Sequence, residues 1–191
     1  MATKFAYIPC YTVEDYEQWV APNCELIQGI PHMMSPAPRI AHQWVSHRLE
    51  MLLEEALGEC RECEVLPPVN YRIADDTMVR PDILMVCSLV EAGEDIYLAT
   101  TPSLIFEIVP PSSALKDRIV KCDIYEAAGV RYYAVADSGR EEAEVPVLHD
   151  GAYETHFTGH AGPVPTDLGA CAFELDMGSP LAPVFHSHAA L

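Results

Sequence analysis

The chain has 191 residues, half of them apolar, and a formal net charge of −18. That length suits one domain with a full core, and the charge argues against an extended nonspecific nucleic-acid groove, since phosphate neutralisation by Lys and Arg supplies most of such affinity. No apolar run approaches the roughly 18–20 residues of a membrane helix, and Met1 to Pro9 lack the basic and apolar regions of a secretory signal, so a soluble, cytoplasmic protein is expected.

In chain order, Thr12 to Trp19 predicts a short helix, with Thr12 as cap and Asp15 bonding back to it. Cys24 to Met34 reads as two short strands around Gln28-Gly29, a tight turn. Ser35-Pro36-Ala37-Pro38 is a break. A long helix then runs from Arg39 or Ile40 to Leu57 and stops at Gly58. Its apolar positions, Ile40, Trp44, Val45, Leu49, Leu52, Leu53, Ala56 and Leu57, recur near the helical period.

Glu64 to Ile73 predicts a strand made irregular by Pro67-Pro68, followed by a turn at Asp75-Asp76. Val79 to Ser88 predicts the next strand, with Asp82 near its start, and Val90 to Thr101 a polar excursion. Ser103 to Val109 is apolar on both faces, which places it centrally in a sheet. A helix capped by Ser112 or Ser113 runs to Gly129, and Arg131 to Asp137 is a further strand. After an acidic turn over 138–144, Val145–His149 and Tyr153–Phe157 pair around Asp150-Gly151. The remainder is Gly- and Pro-rich, with apolar segments at Ala172–Leu175 and Leu181–Phe185.

Seven cysteines are an odd count, expected reduced in a cytosolic protein. Cys60-Arg61-Glu62-Cys63 is a lone CxxC with no second pair or histidines at ligand spacing nearby, so it reads as two thiols in a helix-to-strand connection.

The chemistry concentrates between Pro81 and Tyr125. Glu107 interrupts the apolar strand Leu104-Ile105-Phe106-Glu107-Ile108-Val109. An ionised carboxylate there costs several kcal/mol unless it is paired or binds metal. If the strand of Asp82 is a neighbour, Asp82 and Glu107 point to one spot, and their repulsion favours a divalent cation. Asp117, Lys121 and Tyr125 follow at i, i+4 and i+8 on the next helix, beside a core stripe of Leu115, Ile119 and Cys122. Lys121 can then reach the carboxylates. Arg72, Arg80, Lys116, Arg118 and Lys121 gather the scarce positive charge around this stretch. The competing reading of each group is bland: a salt-bridged Glu107, an Asp82 that caps a turn, and an exposed Asp117–Lys121 pair.

In serial order, Cys24-Glu25-Leu26-Ile27-Gln28-Gly29, Met34-Ser35-Pro36, His42, Val79-Arg80-Pro81-Asp82-Ile83, Phe106 to Ser113, Asp117, Lys121, Tyr125, Gly129-Val130 and Tyr132 to Asp137 resemble the Uma-two family of the PD-(D/E)XK nuclease superfamily, over roughly 24–160. The resemblance implies an α/β, restriction endonuclease-like core, a mixed central sheet flanked by helices, in a single domain over 1–191. It implies a nuclease that hydrolyses phosphodiester bonds, with Asp82, Glu107 and the Ile108 carbonyl holding Mg²⁺ or Mn²⁺ and Lys121 stabilising charge. His42, Glu25, Asp117 and Tyr125 are accessory candidates. Nucleic acid is the expected partner, DNA ahead of RNA, and a homodimer the expected assembly. The chain departs from the family pattern at Ile30, where an acid usually follows the glycine, and at Pro110; Val109 holds the position where classical members of the superfamily carry the lysine, which in this family is looked for on the following helix, here Lys121. Ile30 and the net charge keep open a catalytically inactive or partner-dependent module on the same fold.

Overall fold

The structure is a computed structural model that describes residues 10–20, 23–34, 39–87, 97–109, 114–137 and 139–181, with side chains at all of these except 114–118 and 179. The expected break at Ser35–Pro38, most of the 90–101 excursion, the Ser112 or Ser113 cap and the apolar segment beyond Leu181 lie outside the described residues.

Helix α1 (Val13–Glu17) has the expected capping box, with Thr12 and Asp15 each bonding back to the other's backbone. Strands β1 (Cys24–Ile27) and β2 (Ile30–Met33) form a hairpin through Gln28 and Gly29, at φ 50° and 74°. Both φ values are positive, as a two-residue turn of the primed type needs. Only glycine suits the second position, because a Cβ on Gly29 would strike the Cys10 sulfur.

Helix α2 (Ile40–Leu57) ends at Gly58, with φ +53°. Val45, Leu49, Leu53 and Leu57 form its buried stripe. Ile40 and Trp44, expected on the apolar face, are 69 % and 45 % exposed. They precede the turns where the helix meets the sheet, and periodicity alone does not separate such residues from the core.

The expected strand over 64–73 is two strands, β3 (Glu64–Leu66) and β4 (Asn70–Ala74), which belong to different sheets. Pro67-Pro68 does more than distort the ladder: proline offers no N–H to it, and the chain leaves one sheet for the other. The expected strand over 79–88 likewise divides into β5 (Thr77–Val79) and β6 (Ile83–Val86), with Arg80, Pro81 and Asp82 between them.

Then come β7 (Tyr97–Leu98), β8 (Leu104–Val109), α3 (Ala114–Ala127), β9 (Tyr132–Asp137), β10 (Glu142–His149) and β11 (Ala152–Gly159). A C-terminal hairpin, β12 (Pro163–Asp167) with β13 (Ala172–Asp176), and the short helix α4 (Gly178–Leu181) follow. The main sheet has the order β11-β10-β9-β8-β6-β3, and the second has β2-β1-β5-β4-β7. In the main sheet β8 and β9 are parallel, joined through α3, and the other neighbours are antiparallel. β8 is central and buried along its whole length, as expected.

Alternation along the strands sorts the core into two layers. Ile83, Met85, Leu104, Phe106, Ile108, Tyr132, Ala134 and Ala136 pack with the α2 stripe. Leu84, Val86, Ile105, Val109, Tyr133 and Val135 pack with Tyr125 of α3 and with Ile27, Tyr71 and Val79 of the second sheet. The main sheet is thus a mixed sheet with a helix on either face. No described helix is long and apolar enough to cross a membrane.

Candidate active site

Glu107 occupies the α3 side of β8, between Ile105 and Val109 in the alternation. Ile83 pairs with Phe106 across β6 and β8, so one further step along each chain sets Asp82 opposite Glu107. Asp82 lies just before β6 rather than within it. Its Oδ2 accepts a hydrogen bond from the Ile108 backbone N–H at 2.7 Å, which fixes the carboxylate to the strand that carries Glu107. His42, in the first turn of α2, brings Nε2 to 3.2 Å from the same oxygen. The other ring nitrogen, Nδ1, is buried without a hydrogen-bond partner among the described residues.

Lys121 and Tyr125 stand one helical turn apart on α3 and reach Glu107 together. Lys121 Nζ is 2.9 Å and the Tyr125 hydroxyl 2.7 Å from Oε1 of Glu107. Lys121 Nζ also lies 2.9 Å from Oε1 of Glu25 on β1. That oxygen accepts the Arg80 N–H at 2.9 Å, and the Arg80 guanidinium donates to Asn70. Packing of the Tyr125 ring on Tyr133 of β9, at 5.1 Å between centroids, holds α3 over this spot. Lysine is almost never buried without a partner, and Lys121 is only 7 % exposed.

The cluster sets three carboxylates against one ammonium. Burial pushes the Glu107 carboxyl up to about 8; the Lys121 charge opposes this, and Asp82 and Glu25 add to it. Burial works against a charged Lys121, but Glu107 and Glu25 outweigh it and hold its pKa above the ordinary lysine range. The Tyr125 hydroxyl is raised well above its usual value by burial and then by Glu107, so it stays a donor. The hydrogen bond to Asp82 raises His42, with burial opposing.

The structure therefore brings together Glu25, His42, Asp82, Glu107, Lys121 and Tyr125. The side chain of Asp117 lies outside the described residues, as do those of Lys116 and Arg118. Arg72 turns to Asp75 and Tyr97, and Ile119, expected in the core stripe, is 56 % exposed. The sequence offered no signal for the Arg80 N–H on Glu25, since any residue but proline could supply it. A separate groove on α2, lined by Glu50, Met51, Glu54 and Glu55, shares no residue with the cluster, and its acids disfavour phosphate.

Residues 13–178 match a family model, Uma2, described as "Putative restriction endonuclease". The chain belongs to the Uma2 family. Its fold is also that of the crystal structure of "a putative nuclease belonging to DUF820" from Anabaena variabilis, with a TM-score of 0.70 over 89 % of this chain and 98 % of that one, at 17 % identity. No curated protein matches the chain. The Uma2 match spans every residue of the carboxylate cluster, and membership with this restriction endonuclease-like fold supports a nuclease function in general.

Proposed function

We propose that this Uma2 protein is a metal-dependent nuclease hydrolysing phosphodiester bonds of nucleic acid, DNA in preference to RNA. One observation carries the reading. Glu107 sits buried in a central strand beside Asp82, in a cluster with more carboxylates than cations. That donor set suits a hard divalent cation, which takes oxygen ligands. Asp82, Glu107 and the Ile108 carbonyl would hold Mg²⁺ or Mn²⁺. When bound there, such an ion would lower the pKa of a coordinated water and offset charge on the phosphate.

The protein's own groups do the positioning. The Ile108 N–H aims Asp82. Lys121 and Tyr125 hold Oε1 of Glu107 and fix its rotamer. Lys121 keeps its proton and supplies positive potential next to the reacting phosphate, the need that a lysine two residues after the acid meets elsewhere in the superfamily. His42 can donate from Nε2 to Asp82. The unit in this reading is a single domain acting as a homodimer, and Met33, Ile40 and Trp44, exposed at 78 %, 69 % and 45 %, are apolar side chains for a partner copy to cover.

A second reading has its own observation. Lys121 already bridges two buried carboxylates, so the cluster can stand as a structural ion-pair network in a catalytically inactive or partner-dependent module. Titration with Mg²⁺ or Mn²⁺, followed by calorimetry and thermal shift, separates the two. The nuclease reading expects saturable binding that stabilises the fold, by about 2.7 kcal/mol at a hundredfold excess over Kd, and that disappears in Asp82→Asn. Stability indifferent to both ions would favour the module.

A further inference from the structure

We infer that Cys60, Cys63, Cys87 and Cys171 form a structural zinc site of four thiolates, at the end of the main sheet away from the carboxylate cluster. The CxxC pair supplies two ligands in the connection from α2 to β3. The others come from remote sequence: Cys87 directly after β6, and Cys171 in the turn between β12 and β13. The sulfurs of Cys60, Cys63 and Cys171 all lie within 4.8 Å of one another. In the structure Cys63 pairs with Cys87, and Cys60 with Cys171, at disulfide-bonding separation. Tetrahedral zinc with Zn–S near 2.3 Å separates its sulfurs by about 3.8 Å, so to take the ion the paired sulfurs must draw apart and Cys87, which lies outside the three-sulfur group, must swing toward it.

Clustering is what distinguishes this from two independent cross-links. Disulfides need each sulfur near one partner only, whereas here Cys63 is close to Cys60 and Cys171 as well as to Cys87. The strand register points the same way. Glu64 pairs with Val86, so Cys63 and Cys87 extend the ladder as direct cross-strand neighbours with Cα atoms 3.9 Å apart. That is closer than the roughly 4.4–6.8 Å usual for a disulfide. The chemistry is simple and needs no oxidant: four thiols release four protons as zinc binds. Two disulfides would require an acceptor for four electrons. Cys10, Cys24 and Cys122 are free and stand apart.

A site closed by four thiolates leaves no open coordination position, so its role is structural. Its placement shows what it would hold. α2 carries His42 at its start and leads into Cys60 after its end. β6 follows Asp82 and leads into Cys87. Zinc would clamp the far ends of both elements and tie the C-terminal hairpin to them through Cys171, with the turn already closed by the Leu168 N–H on the Cys171 carbonyl at 2.8 Å.

The test uses the full chain, produced with zinc in the medium and purified without chelator. Elemental analysis and native mass spectrometry should find one zinc per chain, and alkylation after denaturation without reductant should label all seven cysteines. Cobalt in place of zinc should give the intense visible bands of a tetrahedral thiolate site. Cys171→Ser should lose the bound zinc while Asp82→Asn keeps it, which separates this site from the carboxylate cluster. The wild-type measurements stand even if the cysteine variant fails to fold. Absence of zinc, a chain in which only three cysteines alkylate, or zinc retained in Cys171→Ser would overturn the inference.

Discussion

Lys121→Met tests the electrostatics of the cluster most severely. Methionine keeps an unbranched stem of similar length and removes the ammonium, with its charge and its hydrogen bonds. In the native protein the ammonium lies 2.9 Å from Oε1 of both Glu25 and Glu107, with the three side chains 9 %, 10 % and 7 % exposed. Removing one partner of a buried ion pair costs about 3–5 kcal/mol, because the remaining charge is left uncompensated. Glu25 loses its counter-charge outright, while Glu107, its carboxyl already pushed up to about 8, takes up a proton instead, so the whole of that range applies. For a chain of this size each kcal/mol moves Tm by roughly 2–4 °C, which gives a fall on the order of 6–20 °C without added Mg²⁺ or Mn²⁺. Urea unfolding should show a lower midpoint at unchanged slope, and adding Glu25→Gln to Lys121→Met should cost less than the sum of the single changes. A loss below about 1 kcal/mol would mean that solvent screens the pair as it does a surface one, and the account of Lys121 as a buried counter-charge would fail.

Two pH effects follow from the same cluster. Glu107 titrates near 8 in the folded protein against an ordinary 4.5, so the folded state without Mg²⁺ holds the extra proton and its stability falls as pH rises between those values; Mg²⁺ must displace that proton, and calorimetry should find apparent affinity rising with pH by at most about tenfold per unit and levelling off above about 8. His42 should titrate by NMR above its usual 6.5 and drop in Asp82→Asn; its contribution to stability is full below the unfolded value and lost as pH rises through the folded one.

Much of the fold was legible because local chemistry dictated it. The Thr12–Asp15 box, the glycine at the β1–β2 turn and the Asp150-Gly151 hairpin follow from backbone preferences that act over a few residues. The central position of β8 followed from its unbroken apolar run. Sheet assignment was not legible in the same way. β3 and β4 are separated by Pro67-Pro68, and only tertiary packing decides that they join different sheets. Strand β12, with prolines at 163 and 165, carries little strand propensity of its own and owes its pairing to β13.

The site divides along the same line. Glu107 stood out because a charge in an apolar run has to be answered, and the helical spacing of Lys121 and Tyr125 supplied the answer within one βαβ unit. The bridge from Lys121 to Glu25 depends on the second sheet packing against α3, which no local pattern encodes. The lone CxxC looked inert because its companions, Cys87 and Cys171, are remote in sequence: the two pairings span 24 and 111 residues. Convergence of that kind is visible only once the chain is folded.

In the proposed function, the cluster around Asp82 and Glu107 cuts phosphodiester bonds with a bound divalent cation. Purified wild-type protein and its Glu107→Gln variant should be compared on single-stranded, duplex and supercoiled DNA and on RNA, with and without Mg²⁺ or Mn²⁺. Cleavage is expected from the wild type only with metal, favouring DNA, and not from a folded Glu107→Gln protein. A variant that cuts at the wild-type rate would contradict the proposal.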